Sequence, residues 1–307
     1  MSPATAAPGS EAPKVTGTVW FALGVVYVLW GSTYLGIRIV VETMPPFLSA
    51  GARFLTAGLL LAGIVALVDG PAALRATAAQ VRSAVVVGLL LILGGNGLVV
   101  LAETSIPSGL AALLVAAVPM WLVVLRAATG DRPPARTLGG VLLGFAGLAV
   151  LTSPGIGGAV QLSGVLLVLA GSVLWSLGSF SAPRLELPAN PFTGSAYQML
   201  AGGTADVLVG LIRGEHHGLD PAGYSASSWL ALGYLVVFGS LMAFTAYVWL
   251  LRSAPLSLVA TYAYVNPVVA VALGALILDE ALTWPILLGG AIVVAAVCVI
   301  VSTERKA

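Results

Sequence analysis

The chain has 307 residues, 59% of them hydrophobic and 8% charged, with a formal net charge of +1. A soluble domain is nearer a quarter charged, so this composition excludes a soluble globular fold and points to a membrane protein. The basic residues are too few and too scattered for a nucleic-acid partner, which needs a basic patch, and the one cysteine, Cys298, sits in an apolar run and leaves no disulfide framework.

The first sixteen residues, "MSPATAAPGSEAPKVT", are rich in Pro, Ala, Ser and Thr and read as a disordered cytoplasmic tail, 1–16. A cleaved signal peptide would carry an apolar run of only about 7–15 residues. The run from Gly17 to Val40 is longer and is expected to stay as the first membrane helix. A helix needs about 20 apolar residues to cross the bilayer, and further runs follow between polar or Pro-rich breaks. They are Phe47 to Val68, Ser83 to Ala102, Ser108 to Ala128, Thr137 to Thr152, Leu162 to Phe180, Phe192 to Ile212, Trp229 to Leu251, Leu256 to Leu278 and Trp284 to Val301. Ten runs predict an all-α polytopic membrane protein with ten transmembrane helices, the fifth being the shortest.

Successive spans put loops on alternate sides, and Lys and Arg mark the cytoplasmic one. With the amino terminus inside, Lys14, Arg75, Arg82, Arg126, Arg132, Arg136, Arg184, Arg252, Arg305 and Lys306 fall on that side, against Arg38, Arg53 and Arg213 outside. Both termini are therefore expected in the cytoplasm.

The runs also repeat. "VLWGSTYLG…MPPFLSAGARFLTAG" lies over "VLWSLGSFS…ANPFTGSAYQMLAGG", with Trp30 on Trp175 and Pro46 on Pro191. Further on, "IPSGLAALLVAAVPMW" matches "APLSLVATYAYVNPVV", with Pro119 on Pro267. This is a duplication of five helices, over 17–153 and 162–302. Five is odd, so the second copy enters the membrane from the opposite face. Inverted repeats of this kind are a hallmark of secondary transporters, which bind solute near the midplane between the copies.

The segments "WGSTYLGIRIVVETMPPFLSAGARFL", "ETSIPSGLAALLVAAVPMW" and "ATYAYVNPVVAVALGALILDEALTWPILLGGAIVV" resemble the EamA branch of the drug/metabolite transporter superfamily, most of all its YedA-type members. The resemblance runs from about Trp20 to Val301. It implies a ten-helix, two-bundle fold with a central cavity and a carrier of small metabolites in the cell (inner) membrane, often an exporter. It does not name the solute.

Charges inside hydrocarbon are costly and mark functional sites by default. Arg38, Glu42, Arg53 and Glu103 gather at the outer mouth of the first repeat, Arg38, Glu42 and Glu103 being the expected gating group, with Arg53 and Glu103 free to pair between helices. Two readings follow. The pairs pin helices, or they form a gate, with Arg53 alternatively holding a substrate carboxylate. The second repeat has Gln198 in place of Arg53, while Arg184, Glu186 and Arg252 stand at the opposite mouth and read as a solvated loop. Nearer the midplane, Trp30, Ser32, Tyr34, Asn96, Trp175, Tyr262, Tyr264 and Asn266 could line a cavity for a flat or amphipathic solute, since Trp and Tyr otherwise prefer the interfaces. The expected substrate-binding set is thus Trp30, Tyr34, Arg53, Asn96, Trp175, Gln198, Tyr262 and Asn266.

Pro119 and Pro267 each remove a backbone donor in mid-helix, freeing the carbonyls of Val115 and Ala263, and read as hinges or as passive kinks. Asp206 is the acid deepest in the second repeat and is the candidate for proton coupling. Its alternative is a contact with Arg213 or water. His216 and His217, in "RGEHHGLDPAGYSASS", read as a wetted outer loop, so no metal and no cofactor is expected. Gly140 and Gly144 form a small-xxx-small stripe that either packs helices within the chain or makes a homodimer.

A secondary carrier leads, since no phosphate-binding loop is present. A membrane-embedded enzyme would need a motif such as H-E-x-x-H or G-x-S-x-G, which the chain lacks. A channel fits duplicated inverted units less well. The expected partners are a small-molecule substrate, the lipid bilayer, coupled protons and a second copy of the chain.

Overall fold

The computed structural model describes residues 16–130, 133–156 and 160–304. Residues 1–15 of the expected tail, with Lys14, lie outside the described residues, as do Arg132, Arg305 and Lys306. The described residues are helical or in short turns, with no strand among them. In chain order the helices are α1 Gly17–Val41, α2 Pro46–Val68, α3 Ala78–Ala102, α4 Ser108–Ala128 and α5 Ala135–Ile156. They continue as α6 Leu162–Arg184, α7 Pro191–Ile212, α8 Ala226–Ser253, α9 in two pieces, Leu256–Val259 and Tyr262–Ile277, and α10 Trp284–Glu304.

Among the described residues, six of these helices, α1, α2, α3, α4, α6 and α8, are long and apolar enough to cross a membrane. Shorter apolar stretches lie in α5, α9 and α10. The surface carries large apolar side chains, among them Phe21, Leu67, Ile212, Leu230 and Leu276, while Arg53, Glu103, Gln198 and Asp206 are buried. That is the arrangement expected where the outer solvent is lipid and polar groups must be satisfied within the protein.

Local chemistry sets the helix ends. Pro46 and Pro191 open α2 and α7, where a missing N–H costs nothing. Asn190 caps α7 by accepting from Phe192 N at 2.9 Å, and Thr77 with Gln80 forms a capping box at α3.

The packing exchanges into itself when one repeat is swapped for the other. α2 packs on α7, α4 on α9 and α5 on α10. The contact of α1 with α8 is matched by α6 with α3, and that of α1 with α9 by α6 with α4. Glycines let the backbones close. A Cβ on Gly51 of α2 would lie 2.5 Å from Val207 Cγ2 and 2.9 Å from the Gly203 carbonyl of α7. The stripe that left two possibilities open is used inside the chain: Gly140 meets Ile300 of α10 and Gly144 meets Met120 of α4.

Two irregularities were not foreseen. α3 and α8 each carry a π-helical segment, Leu89–Gly97 and Leu235–Phe244, at corresponding places in the two repeats. Pro119 departs from expectation, whereas Pro267 lies inside a helix as expected. α4 is interrupted at Ala116–Ala117, so Pro119 falls in the first turn of its second half, where no donor is needed. α9 is interrupted at Ala260–Thr261, and Pro267 lies inside the helical piece that follows.

Candidate functional site: a central cavity between the repeats

Residues of seven helices line about 620 Å³ of unfilled space, open solvent at its mouth included. α1 contributes Trp30, Thr33, Tyr34 and Ile37, and α2 contributes Arg53 and Phe54. Gly95, Asn96 and Val99 come from α3, Val115 from α4, and Gly171, Ser172 and Trp175 from α6. Gly239 and Phe244 of α8 and Tyr262 and Asn266 of α9 complete it. Seven residues named from the sequence as substrate contacts therefore meet here: Trp30, Tyr34, Arg53, Asn96, Trp175, Tyr262 and Asn266.

Gln198 does not line the cavity. It is buried in the contact of α7 with α3, where Gly88 lies against its backbone. Ser32 is also spent elsewhere, bonding the Leu29 carbonyl at 2.8 Å and the Tyr234 hydroxyl at 2.6 Å. The Tyr264 side chain lies outside what is described.

One end of the cavity is aromatic. Trp30 and Trp175, equivalent in the two repeats, meet edge to face at 5.3 Å between centroids, and Tyr262 meets Trp30 at 5.4 Å. Tyr247, which the sequence reading missed, completes a four-ring floor at 4.8 Å from Trp30 and 5.3 Å from Trp175. Such offset and edge contacts suit the ring quadrupoles.

Polar side chains line the same cavity. Arg53 is 3% exposed. Its Nε donates to Ser240 Oγ at 2.7 Å, and its Nη1 has no partner. Oδ1 of Asn96, Oδ1 of Asn266 and the Tyr262 hydroxyl are likewise buried and unpartnered. Buried polar groups are normally bonded to protein or water, and these four side chains all line the one cavity.

The expected Arg53–Glu103 pair is not formed, because both Glu103 carboxylate oxygens lack partners. Arg38 reaches the backbone carbonyl of Glu103 with Nη1 rather than its carboxylate, and Glu42 is exposed at the end of α1. Asp206 is fully buried on α7, with both oxygens unpartnered. It lies beside Gly97 in the π segment of α3, where a Cβ would come 2.7 Å from Oδ1. Arg213 pairs with Glu215 at 3.7 Å. At the opposite mouth, Arg184 bonds the Phe180 carbonyl and lies over its ring at 3.7 Å, and Arg252 bonds the Pro188 carbonyl at 2.7 Å. Among the described residues no cluster of three metal-ligating side chains exists.

A multi-pass helical bundle with an apolar surface and a few buried charged and polar side chains, holding a cavity between two related halves, has the form of a membrane transporter. The EamA-like transporter family matches the chain twice, over residues 16–153 and 162–302, and the chain belongs to that family. It is 41% identical over 259 residues to the "Uncharacterized inner membrane transporter YedA" of Escherichia coli strain K12, covering 82% of this chain and 80% of that protein. It is 27% identical over 290 residues to a "Probable amino-acid metabolite efflux pump" of the same strain, covering 87% and 89% respectively. A solved crystal structure superposes with a TM-score of 0.68 at 20% identity, over 96% of this chain and 100% of that one, a likeness of fold alone. The protein is a multi-pass inner-membrane transporter.

Proposed function

We propose that the protein is a secondary carrier that exports small amphipathic metabolites bearing a carboxylate, amino acids above all, by alternating access around the central cavity. In this reading the helices make ten crossings as two inverted five-helix units, over 17–153 and 162–302, with both termini cytoplasmic. Arg53 takes the solute carboxylate. Asn96, Tyr262 and Asn266 take its remaining polar groups, and Trp30, Tyr34 and Trp175 flank its apolar part. Arg38, Glu42 and Glu103 form the outer gate, Asp206 carries the coupling proton, and any pairing of two copies uses a face other than the Gly140–Gly144 stripe.

The observation that supports this most is the set of buried, unpartnered polar atoms around one cavity: Nη1 of Arg53, Oδ1 of Asn96 and Asn266, and the Tyr262 hydroxyl. An apolar, aromatic pocket with a few convergent polar groups is the general form of a small-molecule site. The name of the relative at 27% identity, an amino-acid metabolite efflux pump, supports the choice of solute.

The test is a thermal-shift screen of purified protein with amino acids and their methyl esters, followed by counterflow in liposomes. Amino acids are expected to stabilise the protein and esters not, with the difference lost in Arg53→Gln. Equal binding of acid and ester rejects the role of Arg53. Flux that neither saturates nor speeds up with solute on the far side makes the protein a pore and not a carrier.

A further inference from the structure

The two tryptophans that the duplication relates do not use their indole N–H groups alike. Trp30 Nε1 donates to the Gly239 carbonyl at 3.1 Å, and Trp175 Nε1 donates to the Tyr247 hydroxyl at 3.1 Å. Both acceptors lie on α8. The corresponding helix of the first repeat, α3, accepts from neither and meets Trp175 through Gly95, where a Cβ would come 2.6 Å from the indole. One helix therefore holds a tryptophan from each repeat, and its counterpart holds none.

Tyr247 is the centre of that hold. Besides Trp30 and Trp175 its ring meets Tyr262 at 5.7 Å, and its hydroxyl also bonds Ser179 Oγ at 2.6 Å. It is 1% exposed. Tyr27 of α1 bonds Thr261 of α9 in the same half of the molecule. These contacts join α1, α6, α8 and α9. Ser240, which holds Arg53, precedes Tyr247 by seven residues, about 10 Å of helix.

Gly239 lies within the π segment of α8, and Tyr247 follows its end by three residues. A π segment holds an extra residue in the helical ladder. Rewinding it to α turns everything beyond it by about 100°, one residue's share of a 3.6-residue turn. That motion takes Tyr247 from between Trp175 and Ser179 and changes the carbonyl that faces Trp30 at the same time.

We propose that α8 is the moving element of the cytoplasmic gate and that Tyr247 is its latch, a positioning residue that holds Trp175 and Ser179 while the cavity is shut on that side. The proposal rests on the reading of the cavity as a solute pathway and of that side as cytoplasmic.

The test uses the full chain with Cys298→Ser and a reporter, Val99→Cys, on the cavity wall. A membrane-impermeant maleimide is applied to the outer face of right-side-out vesicles and to the cytoplasmic face of inside-out vesicles. In the parent the reporter reacts from the outer face and slowly from the cytoplasmic one. Tyr247→Phe keeps the ring and loses the hydroxyl with its bonds to Trp175 and Ser179, and its cytoplasmic-face rate is expected to rise about thirtyfold, the shift for two neutral hydrogen bonds lost from the closed state. Ser179→Ala gives a smaller rise. Trp121→Phe loses a comparable bond, to Ser172 at 2.9 Å, away from α8 and leaves the rate unchanged. A Tyr247→Phe rate equal to the parent, or matched by Trp121→Phe, overturns the latch. A parent reporter that reacts from neither face, or faster from the cytoplasmic one, overturns instead the reading of the cavity beneath it.

Discussion

Arg53 fits where it does because its neighbour on α8 has no side chain. A Cβ on Gly239 would lie 2.8 Å from Nη2 of Arg53 and 2.9 Å from Cγ2 of Thr33. The guanidinium is the far end of a flexible chain, so Gly239→Ala is expected to displace it without unfolding the protein. The thermal midpoint should stay near the parent's, and KM for carboxylate solutes should rise several-fold, while kcat holds. A fall in kcat at constant KM would place the effect elsewhere. Asp206 calls for a different substitution. Asp206→Asn keeps the volume and removes the ionisation, so export driven by a pH gradient should be lost while solute-for-solute exchange continues. Survival of both would remove Asp206 from the coupling path. Much of this site was legible beforehand, because Trp30 and Trp175 stand out by repetition and Arg53 by its cost in hydrocarbon. Tyr247 was not. The corresponding stretch of the first repeat reads Val99, Val100, Leu101, so comparing the copies gave it no emphasis. Gln198 misled for the converse reason, since matching Arg53 in sequence does not turn a side chain toward the same cavity.

Helices are tied to one another by acids that follow their partners. The open amides at a helix start need acceptors, and Leu48 N in α2 finds Glu215, just beyond α7, at 3.0 Å. Glu280, in the turn after α9, accepts from Ser108 N at 2.7 Å, Ser108 Oγ at 2.8 Å and Gly109 N at 3.0 Å at the start of α4. Asp69, after α2, accepts from Nδ2 of Asn190, the cap of α7, at 3.0 Å. Each acid reaches the helix that its own helix packs on, as antiparallel pairing of equivalent helices requires. Glu280→Gln leaves one acceptor oxygen and removes the charge that favours a helix N-terminus. It should cost about 1–3 kcal/mol, read as a lower thermal midpoint in detergent. An unchanged midpoint would mean that water replaces the carboxylate there. Gly51→Val should lower the midpoint by a comparable amount, because the backbones of α2 and α7 already touch at that point and overpacking costs about 1–3 kcal/mol. Hydropathy made the apolar helices legible, the run Phe192 to Ile212 of α7 among them, and the match of α7 to α2 agreed with it. The π segments and the break in α9 left no trace, since one extra residue in a uniformly apolar run does not alter its composition.

Across the whole molecule the charge bias predicts that both ends of the chain face the cytoplasm. Reporter fusions active only in the cytoplasm, placed at each end, should both be active, and one active with one silent would require an odd number of crossings. The pattern of helix contacts maps each repeat onto the other, yet the aromatic floor does not obey that relation. Tyr247 has no aromatic counterpart in the first copy, and both indole N–H groups donate to α8. A carrier built from matched halves would rest equally in either orientation. Under the alternating access proposed above, the resting populations are expected to be unequal, with the empty protein favouring the orientation in which Tyr247 is engaged. Such a bias does not move solute uphill, because it cancels around a full cycle. It does set which face the unloaded binding site waits toward, and therefore on which side a low solute concentration first limits the rate.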